Sequence, residues 1–121
     1  MSMKLPKEHL IKTVEKIETP NCTFKVDKTT NGKRSYLDFK TAGAVGLLAF
    51  TPQGNILIVK QYRYAQKDFI LEIPAGKIDA GETPIQTAHR ELEEETGYKA
   101  GKVWKLPTFI PTTAYSNERI F

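Results

Sequence analysis

Six consecutive residues, Arg90-Glu91-Leu92-Glu93-Glu94-Glu95, hold four carboxylates and a single guanidinium. A fifth glutamate, Glu82, closes the preceding stretch Gly76-Lys77-Ile78-Asp79-Ala80-Gly81-Glu82. Carboxylates within one helical turn repel one another, and one arginine cannot neutralise them all. A hard divalent cation can. Mg2+ and Mn2+ take oxygen ligands and complete their shells with water and substrate phosphates. Such a cation bridges phosphate oxygens and generates hydroxide from bound water. Glycines at 76 and 81 let the loop backbone approach metal or substrate closely. The plain alternative is a solvated acidic helix face. The set distances from Gly76 and Glu82 to the Arg-Glu cluster weigh against it.

The helix that must carry the cluster is well marked. Thr83-Pro84-Ile85-Gln86 has capping-box order with proline at the first helical position, and Gly97 supplies the stop. Spacing of about 100° per residue puts Ile85, Ala88 and Leu92 on one apolar arc and Glu91, Glu94 and Glu95 on a neighbouring one. Arg90 and Glu94, four residues apart, can pair. Ahead of the helix, residues 44–50 are almost continuously apolar and predict a strand buried on both faces. A turn at 51–55 leads to a second strand over 56–63, and a third over 69–73 is halted by Pro74. Residues 102–106 and 118–121 also read as strands.

Residues 10–42 predict short polar strands. Residues 23–27 alternate with period two, Thr19-Pro20-Asn21 is a turn signal, and Asn31-Gly32 is a two-residue hairpin turn into residues 34–39. This antiparallel meander has too few apolar residues to stand alone, and predicts packing on the rest of the chain or on a second subunit. Composition changes at Thr41. The expected organisation is a meander over 1–42 and a larger α/β domain over 43–121.

The chain has 121 residues, 40% hydrophobic and 26% charged, with net charge +4. Residues 1–42 hold nine Lys/Arg against five Asp/Glu, and residues 43–121 hold nine of each, so the basic excess lies in the N-terminal third. That could attract a phosphorylated ligand or nucleic acid, but no nucleic-acid motif accompanies it, and a nucleic-acid partner is disfavoured against a solvated lysine-rich surface. No apolar run approaches the roughly 18 residues of a membrane span. The stretch Met-Ser-Met-Lys-Leu-Pro-Lys-Glu has no apolar core of the kind a secretory signal needs. A single cysteine, Cys22, excludes an internal disulfide and fits the reducing cytoplasm. Nothing near Cys22 in sequence would activate it as a nucleophile.

The pattern G-x5-E-x7-R-E-U-x-E-E-x-G-U, with U a bulky apolar residue, runs from Gly76 to Tyr98. It resembles the signature of the Nudix hydrolases, with Tyr98 in place of the usual aliphatic residue. The resemblance implies an α/β/α sandwich with a mixed sheet. It also implies metal-dependent cleavage of a nucleoside diphosphate linked to another moiety. By position, Glu91, Glu94 and Glu95 would bind Mg2+ (or Mn2+), with Glu82 nearby and the carbonyl of Ala75 as a further ligand. Glu94, Glu95 and Arg90 would form the catalytic set, Arg90 orienting the glutamates by ion pairing. Gly76 and Gly97 would be structural.

Outside that signature, Gln61-Tyr62-Arg63-Tyr64 and Glu72-Ile73-Pro74-Ala75-Gly76 resemble the Q-Y-R and E-x-P-A-G segments of the ADP-ribose pyrophosphatase branch. There the arginine contacts substrate phosphates, which implies that role for Arg63. The meander resembles an element that in the branch builds a homodimer and part of the adenine site. Tyr36, Phe24 and Phe39 are candidate stackers, with core packing as the alternative for each, and Arg34 reaches either a phosphate or solvent. Residues 109–118 resemble the branch's F-x-x-S-P-G-x-S-N-E run, which shapes the pocket for the terminal ribose. Thr113 and Ala114 replace its proline and glycine, while Ser116-Asn117-Glu118 is kept, which makes Glu118 a further candidate contact. The implied reaction is hydrolysis of ADP-ribose to AMP and ribose 5-phosphate. Alternatives are a sugar nucleotide, another nucleoside-diphosphate or triphosphate substrate, and a catalytically impaired binding module. The family continues past the position of Phe121 with more strands and a helix. The resemblance therefore implies a C-terminally truncated member whose water-activating glutamate falls beyond residue 121.

Overall fold

The computed structural model of the chain describes residues 7–121. Of the N-terminal stretch read for a signal, residues 1–6 lie outside them. Two compact units divide the described residues: those up to Lys40 together with Thr112–Glu118, and Thr41–Pro111 together with Arg119–Phe121.

The first unit is a three-stranded antiparallel meander of β1 (Leu10–Glu18), β2 (Cys22–Thr29) and β3 (Gly32–Phe39), in that order. The β2–β3 register is unbroken from Cys22↔Phe39 to Thr29↔Gly32, closed by the Asn31-Gly32 turn. Gly32 sits at φ 121°, a conformation that suits glycine. The β1–β2 register slips twice, between Leu10 and Lys12 and between Thr13 and Glu15. Every residue of β1 is exposed, including Leu10, Ile11, Val14 and Ile17. Thr112–Glu118 adds to the far edge. Leu37 and Ser116 form a parallel bridge, with the Leu37 amide donating to the Tyr115 carbonyl at 2.7 Å.

In the second unit, β4 (Ala44–Gly46) pairs antiparallel with β7 (Ala75–Lys77), and Ala44 bridges Ile120 in parallel on its other side. The sheet is therefore mixed. β5 (Val59–Arg63) and β6 (Asp68–Glu72) form a hairpin. The helix α1 (Pro84–Thr96) lies across β7 and β4. Val45, Ile78 and Ala88 make the core between them, joined by Leu47 and Phe121, and Leu92 is also buried. Gly43 permits the close approach of the C-terminal segment, since a Cβ there would stand 2.6 Å from the Arg119 carbonyl oxygen.

The helix limits follow the expected signals. Thr83 accepts from the Gln86 amide, the Gln86 side chain accepts from the Thr83 amide, and Gly97 closes the helix at φ 75°. Other expectations fail. Residues 44–50 are a strand only to Gly46, and Leu48 and Phe50 are 51% and 61% exposed, so this segment is not covered on both faces. Residues 102–106 form no strand, and 118–121 contribute only bridges through Ile120. Ile85, placed with Ala88 and Leu92 by helical spacing, is exposed. It lies in the first turn of the helix, and the buried face begins at Thr87 and Ala88.

Candidate active site

The glutamates of α1 are organised by Arg90. Its Nε donates to Glu82 Oε1 and its Nη2 to Glu82 Oε2, both at 2.8 Å, a two-pronged grip that suits the planar guanidinium. Nη1 donates to Glu91 Oε1 at 2.7 Å and to Glu94 Oε2 at 3.3 Å, and Nη2 also reaches the Lys77 carbonyl at 3.1 Å. Nη2 also lies 3.4 Å from Asp79 Oδ2, so one cation gathers four carboxylates and ties the helix to β7. The i,i+4 pairing with Glu94 is present, but at 3.3 Å it is longer than the bonds to Glu82 and Glu91.

Glu82 is fully engaged. Besides Arg90, its Oε2 accepts from the Thr87 hydroxyl at 2.7 Å and the Asp79 amide at 3.4 Å. Thr87 has no exposed surface. These donors, the Arg90 guanidinium foremost, hold the Glu82 carboxyl at about 2, well below the ordinary 4.5. The same contacts, Glu82 first and Glu91 next, raise the Arg90 pKa. Sequence spacing does not single out Thr87. Its place one turn after Thr83 marks it as helical, but only the folded loop brings Glu82 onto it.

Gly76 of β7 lies directly against the Glu91 side chain of α1. A Cβ at residue 76 would lie 1.9 Å from the Glu91 Cδ and Oε1 atoms. The missing side chain is the space that the carboxylate occupies. Glu95 turns toward the strand from the next turn, with its Oε2 accepting from the Ala75 amide at 3.1 Å. Glu94 stays the most open of the set, with 59% of its side chain exposed. Among the described residues no three carboxylate, histidine or cysteine groups are already drawn together around a common cation position. Arg90 fills the centre of the acidic cluster.

Arg63, at the end of β5, grips Glu72 of β6 with two bonds, Nε to Oε1 at 2.7 Å and Nη2 to Oε2 at 2.5 Å. This pairing raises the Arg63 pKa, and the Glu95 carboxylate adds to it. The Glu72 carboxyl is lowered by the same arginine. The hairpin register gives no hint of the pair, because it sets Arg63 opposite Asp68 rather than Glu72.

The remaining candidates belong to the first unit. Arg34 Nε donates to Glu8 Oε2 at 3.1 Å. The Tyr36 hydroxyl donates to Asp27 Oδ2 at 2.9 Å, and burial, then Asp27, pushes the phenol upward. Tyr36 is thus anchored by its hydroxyl rather than free to swing over a base. Glu118 is half-buried, its amide donating to the Ser116 hydroxyl at 3.3 Å. Phe24 and Phe39 are also half-buried. Among the described residues no helix is long and apolar enough to cross a membrane.

A family profile described as the NUDIX domain matches residues 40–119. The ADP-ribose pyrophosphatase of Bacillus subtilis (strain 168) is 44% identical over 106 residues, covering 87% of this chain and 52% of the relative. The methanol dehydrogenase activator of Bacillus methanolicus is 38% identical over 120 residues, covering 97% and 65%. The chain thus spans between half and two thirds of these relatives' lengths. A crystal structure of an ADP compounds hydrolase superposes with a TM-score of 0.75 at 22% identity, covering 98% of this chain and 66% of that one. This likeness bears out the α/β class with a mixed sheet.

Proposed function

The chain belongs to the Nudix family, and on that premise we propose that it carries the metal-binding part of a pyrophosphatase for ADP-ribose or a related sugar nucleotide. ADP-ribose would yield AMP and ribose 5-phosphate. The relative named ADP-ribose pyrophosphatase supports the substrate class. The observation that carries the reading is the gathering of Glu82, Glu91 and Glu94 on Arg90 above a glycine with no room for a side chain.

The donors of Glu91, Glu94, Glu95 and the Ala75 carbonyl are all oxygen, which fits Mg2+, with Mn2+ able to substitute. When bound, the cation supplies positive charge against the pyrophosphate and makes bound water a nucleophile. The chain's own residues do the rest. Glu82, saturated by Arg90 and Thr87, serves as the anchor of the arginine. Arg90 keeps Glu91 and Glu94 aimed at one region. Arg63, braced by Glu72, presents guanidinium N–H groups to a phosphate. Arg34, Tyr36 and Glu118 are assigned to the ends of the nucleotide sugar, and Thr112–Glu118 to the shape of the sugar pocket. A homodimer through the meander, whose exposed β1 offers an edge for pairing, and a cytoplasmic setting complete the proposal.

Glu95→Gln tests it. The amide oxygen keeps an acceptor for the Ala75 N–H while the charge is lost. Binding of Mn2+ to the purified chain, followed by calorimetry, should weaken by at least about tenfold, and release of AMP from ADP-ribose in Mg2+ should be abolished, with the melting temperature unchanged. Turnover retained by the variant would remove Glu95 from the site.

A further inference from the structure

Thr112–Glu118 is held by side chains as well as by strand pairing. The Tyr115 and Ser116 amides both donate to the Thr112 carbonyl, at 3.0 and 2.9 Å, closing a turn. The Thr112 and Ser116 hydroxyls lie 2.6 Å apart and brace it. Asn117 then clamps the turn to β3 with both ends of its amide. Its Oδ1 accepts from the Phe39 N–H at 2.7 Å, and its Nδ2 donates to Asp38 Oδ1, also at 2.7 Å. The other Asp38 oxygen accepts from the Lys25 ammonium on β2. The backbone alone offers Leu37 N–H to Tyr115 at 2.7 Å and a longer 3.4 Å contact from the Asn117 N–H to Leu37.

We propose that Asn117, with Asp38 and Lys25 behind it, is a specificity-determining latch that sets the conformation of Thr112–Glu118. The proposal rests on the reading that this segment shapes the sugar pocket. The chemistry requires one polarity. Asn117 must accept from a backbone amide and donate to a carboxylate at once, which an amide does and a carboxylate or alkyl group does not. Asp38, in turn, must accept from both Asn117 and Lys25. Its carboxyl is held below the ordinary range by Lys25 first and Asn117 last. Asn117 touches no reacting group in this scheme. It is a positioning residue acting through Thr113, Ala114 and Glu118.

The test is a polarity swap in the full chain. Asn117→Asp sets two carboxylates against each other and opens the latch. Asp38→Asn added to Asn117→Asp restores each bond with donor and acceptor exchanged. Lys25 then donates to the amide carbonyl introduced at position 38, and the amide nitrogen there donates to the carboxylate introduced at position 117. The second oxygen of that carboxylate accepts from the Phe39 N–H. Hydrogen exchange at residues 37–39 should rise about tenfold or more in the single variant and return toward wild type in the swap. With ADP-ribose and a second ADP-sugar in Mg2+, the single variant should raise KM and flatten discrimination between sugars while kcat holds. The swap should recover both. Unchanged exchange in Asn117→Asp, a faster exchange with KM and discrimination unmoved, or no recovery in the swap would each overturn the latch. A wild-type chain that hydrolyses no ADP-sugar while its exchange follows this pattern would refute the substrate reading and leave the latch in place.

Discussion

Gly76→Ala isolates the contact on which the site is built. The new Cβ would lie 1.9 Å from Glu91 Cδ and Oε1, against about 3.4 Å for an ordinary contact. The carboxylate must therefore retreat by about 1.5 Å. A displacement of that size takes Glu91 Oε1 out of its 2.7 Å bond with Arg90. The backbone itself tolerates alanine, because Gly76 is not among the residues at positive φ. Replacing glycine by alanine at a compatible position adds about 0.4–1 kcal/mol of stability through the unfolded chain. That gain offsets part of the strain, so the fold survives and the loss concentrates on the metal site. Disturbing groups that orient metal ligands costs roughly 10- to 100-fold in affinity. Half-saturation by Mg2+, followed by AMP release, and binding of Mn2+ alone, followed by calorimetry, should both weaken by at least about tenfold, equivalent to about 1.4 kcal/mol. The melting temperature should move by only a few degrees. Adding Glu91→Ala should relieve the clash and recover stability beyond the sum of the single changes, without recovering metal binding. Wild-type metal affinity in Gly76→Ala would refute the argument that Glu91 depends on that space.

The Glu82 carboxyl lies at about 2 in the folded chain against 4.5 ordinarily, so its stabilisation is complete above pH 4.5 and lost as pH falls toward 2. Arg90→Met should remove that part of the acid-dependent fall in melting temperature, and a profile identical to wild type would refute the assignment. Thr83→Ala deletes the hydroxyl that accepts from the Gln86 amide at 3.3 Å and should lower stability by about 1 kcal/mol in thermal unfolding. Lys67 stands at φ 56° in the β5–β6 turn with its ammonium over the Tyr64 ring. Lys67→Gly should therefore exceed Lys67→Ala in stability by about 1 kcal/mol, since both lose the ring contact and only glycine is free of the left-handed strain.

What could be read in advance divides by the range of the interactions concerned. The ends of α1 were legible because Thr83, Gln86 and Gly97 act within three or four residues of chain. The Asn31-Gly32 turn and the β2–β3 pairing were legible for the same reason. β1 was harder to read because its two register slips break the period-two pattern. β7 lay hidden inside a glycine-rich stretch that suggested a loop, and is a strand because Val45 pairs with Gly76. The apolar run after Thr41 overstated burial, since composition does not tell whether a neighbouring layer is present to cover it.

The chemical inventory was settled before any folding: carboxylates at helical spacing, one arginine among them, a glycine and a glutamate at set distances ahead. These are properties of residue type and of the 3.6-residue repeat, and they survive any choice of tertiary arrangement. Who pairs with whom is a matter of the folded chain. Arg90 gives its two-pronged grip to Glu82, eight residues away, and only a single 3.3 Å bond to Glu94, the partner that helical spacing named. Thr87 closes on Glu82, Glu72 braces Arg63, and Asn117 clamps a strand 78 residues earlier. A guanidinium takes the carboxylates that the fold presents in its plane, and only a folded loop and sheet can present them.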